Sequence, residues 1–173
     1  MNLGFIATAA EGASNPGFFI EIGGFVWAMF GVILAIMLAG IGSARGVMYV
    51  GSAATGLLSE EPKRFAPCLV LELLPSTQGI YGFVIAFLLL NKATEIGVGT
   101  MTIQQGLTIL AAALPVGVIG LISGMCQGKV AASGIAMVAK KPKDWSKAVI
   151  LTLTVELFAL FGFLVSILMY TKM

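Results

Sequence analysis

Apolar residues run almost unbroken through four stretches of the chain, roughly Ile22 to Met48, Phe65 to Leu90, Ile103 to Val138 and Trp145 to Tyr170. Each reaches the roughly 20 residues a helix needs to cross a hydrocarbon layer at about 1.5 Å per residue. A bare chain of strands is excluded, because exposed backbone polar groups are not tolerated in lipid. Ser59-Glu60-Glu61-Pro62-Lys63-Arg64 and Lys140-Lys141-Pro142-Lys143-Asp144 are short, charged and broken by proline, as turns in water should be. Asn91 to Thr102 is longer and holds Gly97 and Gly99. The pattern predicts an all-α integral membrane protein with four transmembrane helices in two tandem hairpins. An N-terminal extension occupies 1–19, the first hairpin 20–91, a connecting loop 92–102 and the second hairpin 103–173.

Composition agrees. Of 173 residues, 58% are apolar and 10% charged, whereas a soluble domain carries about a quarter charged residues. A net charge of +2 with no aromatic-interleaved basic patch gives no footing for nucleic acid. Histidine is absent, and Cys68 and Cys126 have no CxxC partner, so neither a zinc site nor a redox dithiol is expected. The extension lacks a basic n-region and holds Glu11, Ser14, Asn15 and Pro16. It reads as an interfacial segment rather than a cleaved signal peptide. Lys63, Arg64, Lys140, Lys141, Lys143 and Lys147 surround the two hairpin turns, against Lys92 and Lys172 toward the other side. The positive-inside tendency puts both turns in the cytoplasm and both termini outside the cell membrane.

The halves match when position n is laid on n plus 80: Gly40 on Gly120, Ser43 on Ser123, Pro62 on Pro142, Lys63 on Lys143, Gly82 on Gly162 and Phe83 on Phe163. A shared Pro-Lys turn and Gly-Phe pair at one register point to a duplicated hairpin with quasi-equivalent packing positions. The first and third spans are rich in glycine and alanine, which lets helices approach closely. The second and fourth carry Phe83, Phe87, Phe158, Phe161 and Phe163. This contrast suits an inner wall of thin helices and an outer wall of thick ones in a ring, with small-residue packing in a lone four-helix bundle as the alternative.

Glu156 is the most informative residue. It lies 14 positions past Pro142, about 21 Å at helical rise, too deep for a helix-end acid. A carboxylate there needs a proton or a partner, and no lysine or arginine shares its depth. Counting from the same turns brings Thr77, Gln78 and Gln127 to its level. Their hydroxyl and amide oxygens, with the carboxylate, make a hard-cation donor set. Tyr81, one turn beyond Thr77 and Gln78, can donate a hydrogen bond to the acid. Each also has a plainer reading, since a membrane Thr often bonds its own helix, a Gln can join helices and a Tyr can simply pack. Pro75 loosens the helix turn carrying Thr77. Ser76 occupies the repeat equivalent of Glu156, so one carrier carboxylate per chain is expected. Glu72 lies nearer the turn. It can line the approach to the site, pair with a neighbouring subunit or act as an accessory carboxylate.

These motifs resemble the membrane rotor-ring subunits of V-type ATPases, the proteolipid or subunit K family, especially its bacterial sodium-pumping form. The resemblance rests on Leu74-Pro75-Ser76-Thr77-Gln78-Gly79 with Tyr81-Gly82-Phe83, on Gln127-Gly128-Lys129-Val130-Ala131-Ala132, and on Val155-Glu156 followed by Gly162-Phe163. It implies sodium, Na+, bound by the Leu74 carbonyl, the side chains of Thr77, Gln78 and Gln127, and Glu156, with Tyr81 steadying the carboxylate. It further implies identical copies in a membrane ring, a stator membrane subunit, central-stalk subunits and surrounding lipids. No catalytic site of its own is implied, and no GxxxxGK[ST] phosphate loop is present. The alternatives are a ring of the same type carrying H+, and a non-rotary channel or structural bundle.

Overall fold

The computed structural model describes residues 16–173, with side chains described from residue 22 onward. Most of the extension expected over 1–19 lies outside the described residues. The described residues form five α-helices: α1 (Pro16–Glu60), α2 (Phe65–Leu73), α3 (Thr77–Ile96), α4 (Ile103–Lys140) and α5 (Trp145–Thr171). Helices α2 and α3 are two parts of one crossing, separated by a 3-10 turn over Leu74–Ser76. Among the described residues, four segments are long and apolar enough to span a membrane: Ile22–Glu60, Pro62–Ile96, Ile103–Lys140 and Pro142–Thr171. The chain is a multi-pass all-α membrane protein, as its pattern predicts.

Helix α1 continues to Glu60 rather than ending near Met48. Its last turns are less apolar, but their hydroxyls bond within the helix, Ser52 Oγ to the Met48 carbonyl at 2.8 Å and Thr55 Oγ1 to the Ser52 carbonyl at 3.1 Å. No proline intervenes until Pro62, which pushes Glu61 out of the helical region, to φ −127° and ψ 76°. Helix α3 likewise outlasts the expected Leu90 and stops at Ile96, where Gly97 takes φ +89°. Helix α4 opens with a capping box in which Thr102 Oγ1 accepts the Gln105 amide and Gln105 Oε1 accepts the Thr102 amide.

Burial is inverted relative to a protein in water. Gln78, Gln127, Thr152 and Ser166 are fully buried, while Phe158, Ile150 and Leu168 are more than 60% exposed. Hydrocarbon is the solvent in which that arrangement is stable.

The centre is a small-residue seam between α1 and α4. A side chain added at Gly31 would meet the Leu110 backbone at 2.7 Å, one at Gly42 the Leu121 backbone at 2.6 Å, and one at Gly124 the Gly42 carbonyl carbon at 2.7 Å. Both numbers rise together, so α1 and α4 run parallel, as a duplicated hairpin requires. The flanking helices repeat the register. Gly82 packs on Ala35 and Ala39, and Gly162 on Pro115 and Ile119, each pair 80 positions apart.

Candidate ion-binding site

Two prolines shape the interior. Pro75 has no N–H to give, so the helix tightens into the Leu74–Ser76 turn before α3 begins at Thr77. There Thr77 donates both its amide and its hydroxyl to the Leu74 carbonyl, the hydroxyl at 3.0 Å. Pro115 lies inside α4, and Ser166 of α5 accepts the adjoining Val116 amide at 3.1 Å.

Glu156 is buried on α5 and faces both neighbours. Tyr81 of α3 donates its hydroxyl to Glu156 Oε1 at 2.7 Å, and Gln127 of α4 donates Nε2–H to Oε2 at 2.8 Å. Gln127 Nε2 also reaches the Thr152 carbonyl at 3.3 Å, and its Oε1 accepts Nε2–H of Gln78 at 2.6 Å. Phe163 packs on the Tyr81 ring, with centroids 5.1 Å apart. Gln78 Oε1 is buried and has no hydrogen-bond partner, an arrangement that costs about 1–3 kcal/mol.

The three ion pairs among the described residues are Arg64 with Glu61, Lys92 with Glu95 and Lys147 with Asp144. All lie at turns or helix ends, so none neutralises Glu156. Among the described residues there is also no cluster of three acids, cysteines or histidines able to hold a metal. The site therefore has one carboxylate surrounded by neutral donors and acceptors. Such a set can hold one positive charge, either a proton or a monovalent cation.

Of the residues singled out by sequence, Gln78, Tyr81, Gln127 and Glu156 form one hydrogen-bonded chain, and Leu74 and Thr77 share the turn at its edge. Ser76, in Glu156's repeat position, bonds the Leu73 carbonyl at 2.6 Å and stands outside the network. Glu72 is apart. It lies against α1, where a side chain added at Gly51 would meet its Oε1 at 2.8 Å, and it makes no ion pair among the described residues. Two participants escaped sequence reasoning. The Thr152 carbonyl lies one turn before Glu156, so i to i+4 spacing could have found it. Ser43 accepts the Gly79 amide at 2.7 Å from another helix, and no local pattern announces that contact.

Comparison with known proteins adds identity. The ATP synthase C-subunit family matches the chain twice, at residues 30–89 and 110–169. Both bounds differ by 80 (110 − 30 and 169 − 89), the register of the internal repeat. The V-type sodium ATPase subunit K of Enterococcus hirae is 47% identical over 148 residues, 85% of this chain and 92% of that protein. The A-type ATP synthase subunit K of Methanocaldococcus jannaschii is 40% identical over 142 residues, 82% of this chain and 62% of that protein. The V-type proton ATPase 16 kDa proteolipid of Nephrops norvegicus is 27% identical over 146 residues, 84% of this chain and 91% of that protein. With both of its hairpins matched, the chain belongs to the ATP synthase C-subunit family.

Proposed function

We propose that this chain is the ion-carrying rotor-ring subunit of a V-type ATPase and that its ion is sodium, bound at Glu156. The observation that carries the reading is a buried carboxylate with no cationic partner among the described residues, joined through Gln127 to Gln78, whose buried amide oxygen has no hydrogen-bond donor. A proton on Glu156 would neutralise the acid and leave Gln78 Oε1 unpaired. A sodium ion would use both. The ligands in this reading are the Leu74 carbonyl, Thr77, Gln78, Gln127 and Glu156. Gln127 needs a half-turn of its terminal amide to offer oxygen in place of nitrogen, and Gln78 a matching one so that its Oε1 accepts the turned Gln127 Nε2–H, torsions that are broad and nearly two-fold. One carboxylate among neutral oxygens balances a single charge, which favours a monovalent ion over calcium. The V-type sodium ATPase subunit K of Enterococcus hirae, similar over most of its length, supports the same ion.

Loading neutralises Glu156 and lets the site pass through an apolar environment, while unloading leaves a charge that is costly outside a polar stator channel. Rotation is thereby coupled to transport, and ATP hydrolysis belongs to partner subunits. Sodium is expected to protect Glu156 from a carboxyl-modifying carbodiimide in a concentration-dependent way. Equal modification with and without sodium across a range of pH would overturn the sodium reading and leave the proton ring.

The repeat supports assembly with identical copies. Ile119, Ile122, Cys126, Val155, Phe158 and Phe161 line an open groove between α4 and α5. Their equivalents 80 positions earlier are Ala39, Gly42, Gly46, Pro75, Gln78 and Tyr81, the face of the first hairpin that the second hairpin covers. Repeating that packing operation seats the first hairpin of a second copy in the groove, and head-to-tail contacts of this kind close into rings.

Arg64, Lys141 and Lys143 gather where the two hairpin turns lie side by side, which supports a cytoplasmic position for both turns and an outer position for both ends. In that orientation a Lys143→Cys thiol reacts with an impermeant maleimide from the cytoplasmic side, and an Asn91→Cys thiol from the outer side. The reverse pattern would invert the topology.

A further inference from the structure

Ser43 belongs to α1, the helix that contributes none of the proposed ligands, yet it is the side chain that reaches the turn on which two of them sit. Its hydroxyl accepts the Gly79 amide at 2.7 Å. Gly79 directly follows Gln78 and lies in the first turn of α3, where backbone N–H groups lack their ordinary helical acceptors. Ser43 is 7% exposed, so water does not substitute for it. The approach is close: a side chain added at Gly79 would lie 3.3 Å from Ser43 Oγ. The Pro75 break thus creates an unsatisfied helix start inside the membrane, and Ser43 caps it from a neighbouring helix.

The duplicated hairpin holds a natural comparison. Ser123, 80 positions on, is also buried, and its Oγ has no hydrogen-bond partner. There Val155 stands where the first hairpin has Pro75, and α5 runs unbroken from Trp145 to Thr171, so the facing helix has no loose amide to offer. A serine at this register acquires a bond only where the opposite helix is broken, and that break carries Thr77 and Gln78.

We infer that Ser43 is a positioning residue of the ion site, holding the α3 start so that Thr77 and Gln78 present their oxygens toward Glu156. The inference rests on the sodium reading above. The test uses the assembled complex in membranes, with sodium as the probe and carbodiimide labelling of Glu156 as the readout. Ser43→Ala raises the sodium concentration giving half-protection by roughly 3- to 10-fold, the loss expected for one net hydrogen bond. The labelling rate without sodium stays unchanged, because the Tyr81 and Gln127 contacts to the carboxylate are untouched. Ser43→Thr, which keeps the acceptor, restores half-protection close to the original value, and Ser43→Cys, a weak acceptor, falls between. Ser123→Ala leaves half-protection within about twofold, being less than the loss of one hydrogen bond. Should Ser43→Ala not assemble, the Thr and Cys variants decide. Half-protection that is equal in the Ala or Cys variant and the unsubstituted chain overturns the inference alone. An unsubstituted chain that sodium does not protect overturns the sodium reading and the inference with it.

Discussion

Replacing Glu156 by Gln is expected to leave a folded, assembled protein that no longer holds sodium. The amide nearly matches the carboxylate in shape, and its oxygen can still accept the Tyr81 hydroxyl that now stands 2.7 Å from Glu156. What disappears is charge, together with the Oε2 acceptor of Gln127. The other acids with described side chains lie at the hairpin turns, at the end of α3 or, for Glu72, against α1, so none can take over. Removing the charged member of a buried pair costs about 3–5 kcal/mol, which corresponds to a loss of sodium affinity of about 100- to 5000-fold. Sodium binding to the purified oligomer measures it directly. Glu156→Asp retains the charge but is one methylene shorter, so the contacts to Tyr81 and Gln127 cannot both be kept without a backbone shift, and an intermediate affinity follows. Sodium-coupled transport at the original rate in Glu156→Gln would remove the carboxylate from the mechanism.

Much of that site is legible in the sequence because a membrane helix converts counting into distance. Pro62 and Pro142 fix two turns at one level, and a constant rise then carries Gln78, Gln127 and Glu156 to a common depth. The structure joins those three and Tyr81 by hydrogen bonds of 2.6 to 2.8 Å. Direction is less legible than depth. Glu72 lies a single turn from Ser76, yet it faces Gly51 of α1, since which side of α2 meets which helix depends on packing across the bundle. Ser43 is illegible for the same reason: its bond to Gly79 spans 36 residues. The end of α1 is obscured on other grounds. Hydropathy fades after Met48, but helix termination is set by proline and caps, and these arrive only at Glu61 and Pro62.

Enlarging Gly128 is expected to be among the most damaging changes that touch no ligand. Gly128 of α4 lies against Gly46 of α1, where even a single added carbon would fall 2.7 Å from the Gly46 carbonyl carbon and closer still to its Cα and oxygen. These are backbone atoms, so no side chain can swing aside, and the helices must part. Overpacking of this kind typically costs about 1–3 kcal/mol for small enlargements. Gly128→Ala should accordingly lower the thermal stability of the detergent-solubilised oligomer, and Gly128→Val should prevent its assembly. Gly56→Ala is the informative contrast. It lies in the same α1 but has nothing within 4 Å, so the better helix former should be neutral or gain up to about 1 kcal/mol. Function should fall with the seam as well as stability. Gln127 is the residue before Gly128, and forcing α4 away from α1 draws its amide from Gln78, now 2.6 Å away. The Ala variant should therefore bind sodium more weakly even where it still assembles. Unchanged stability and sodium binding in Gly128→Val would mean that close contact between α1 and α4 does not position the site.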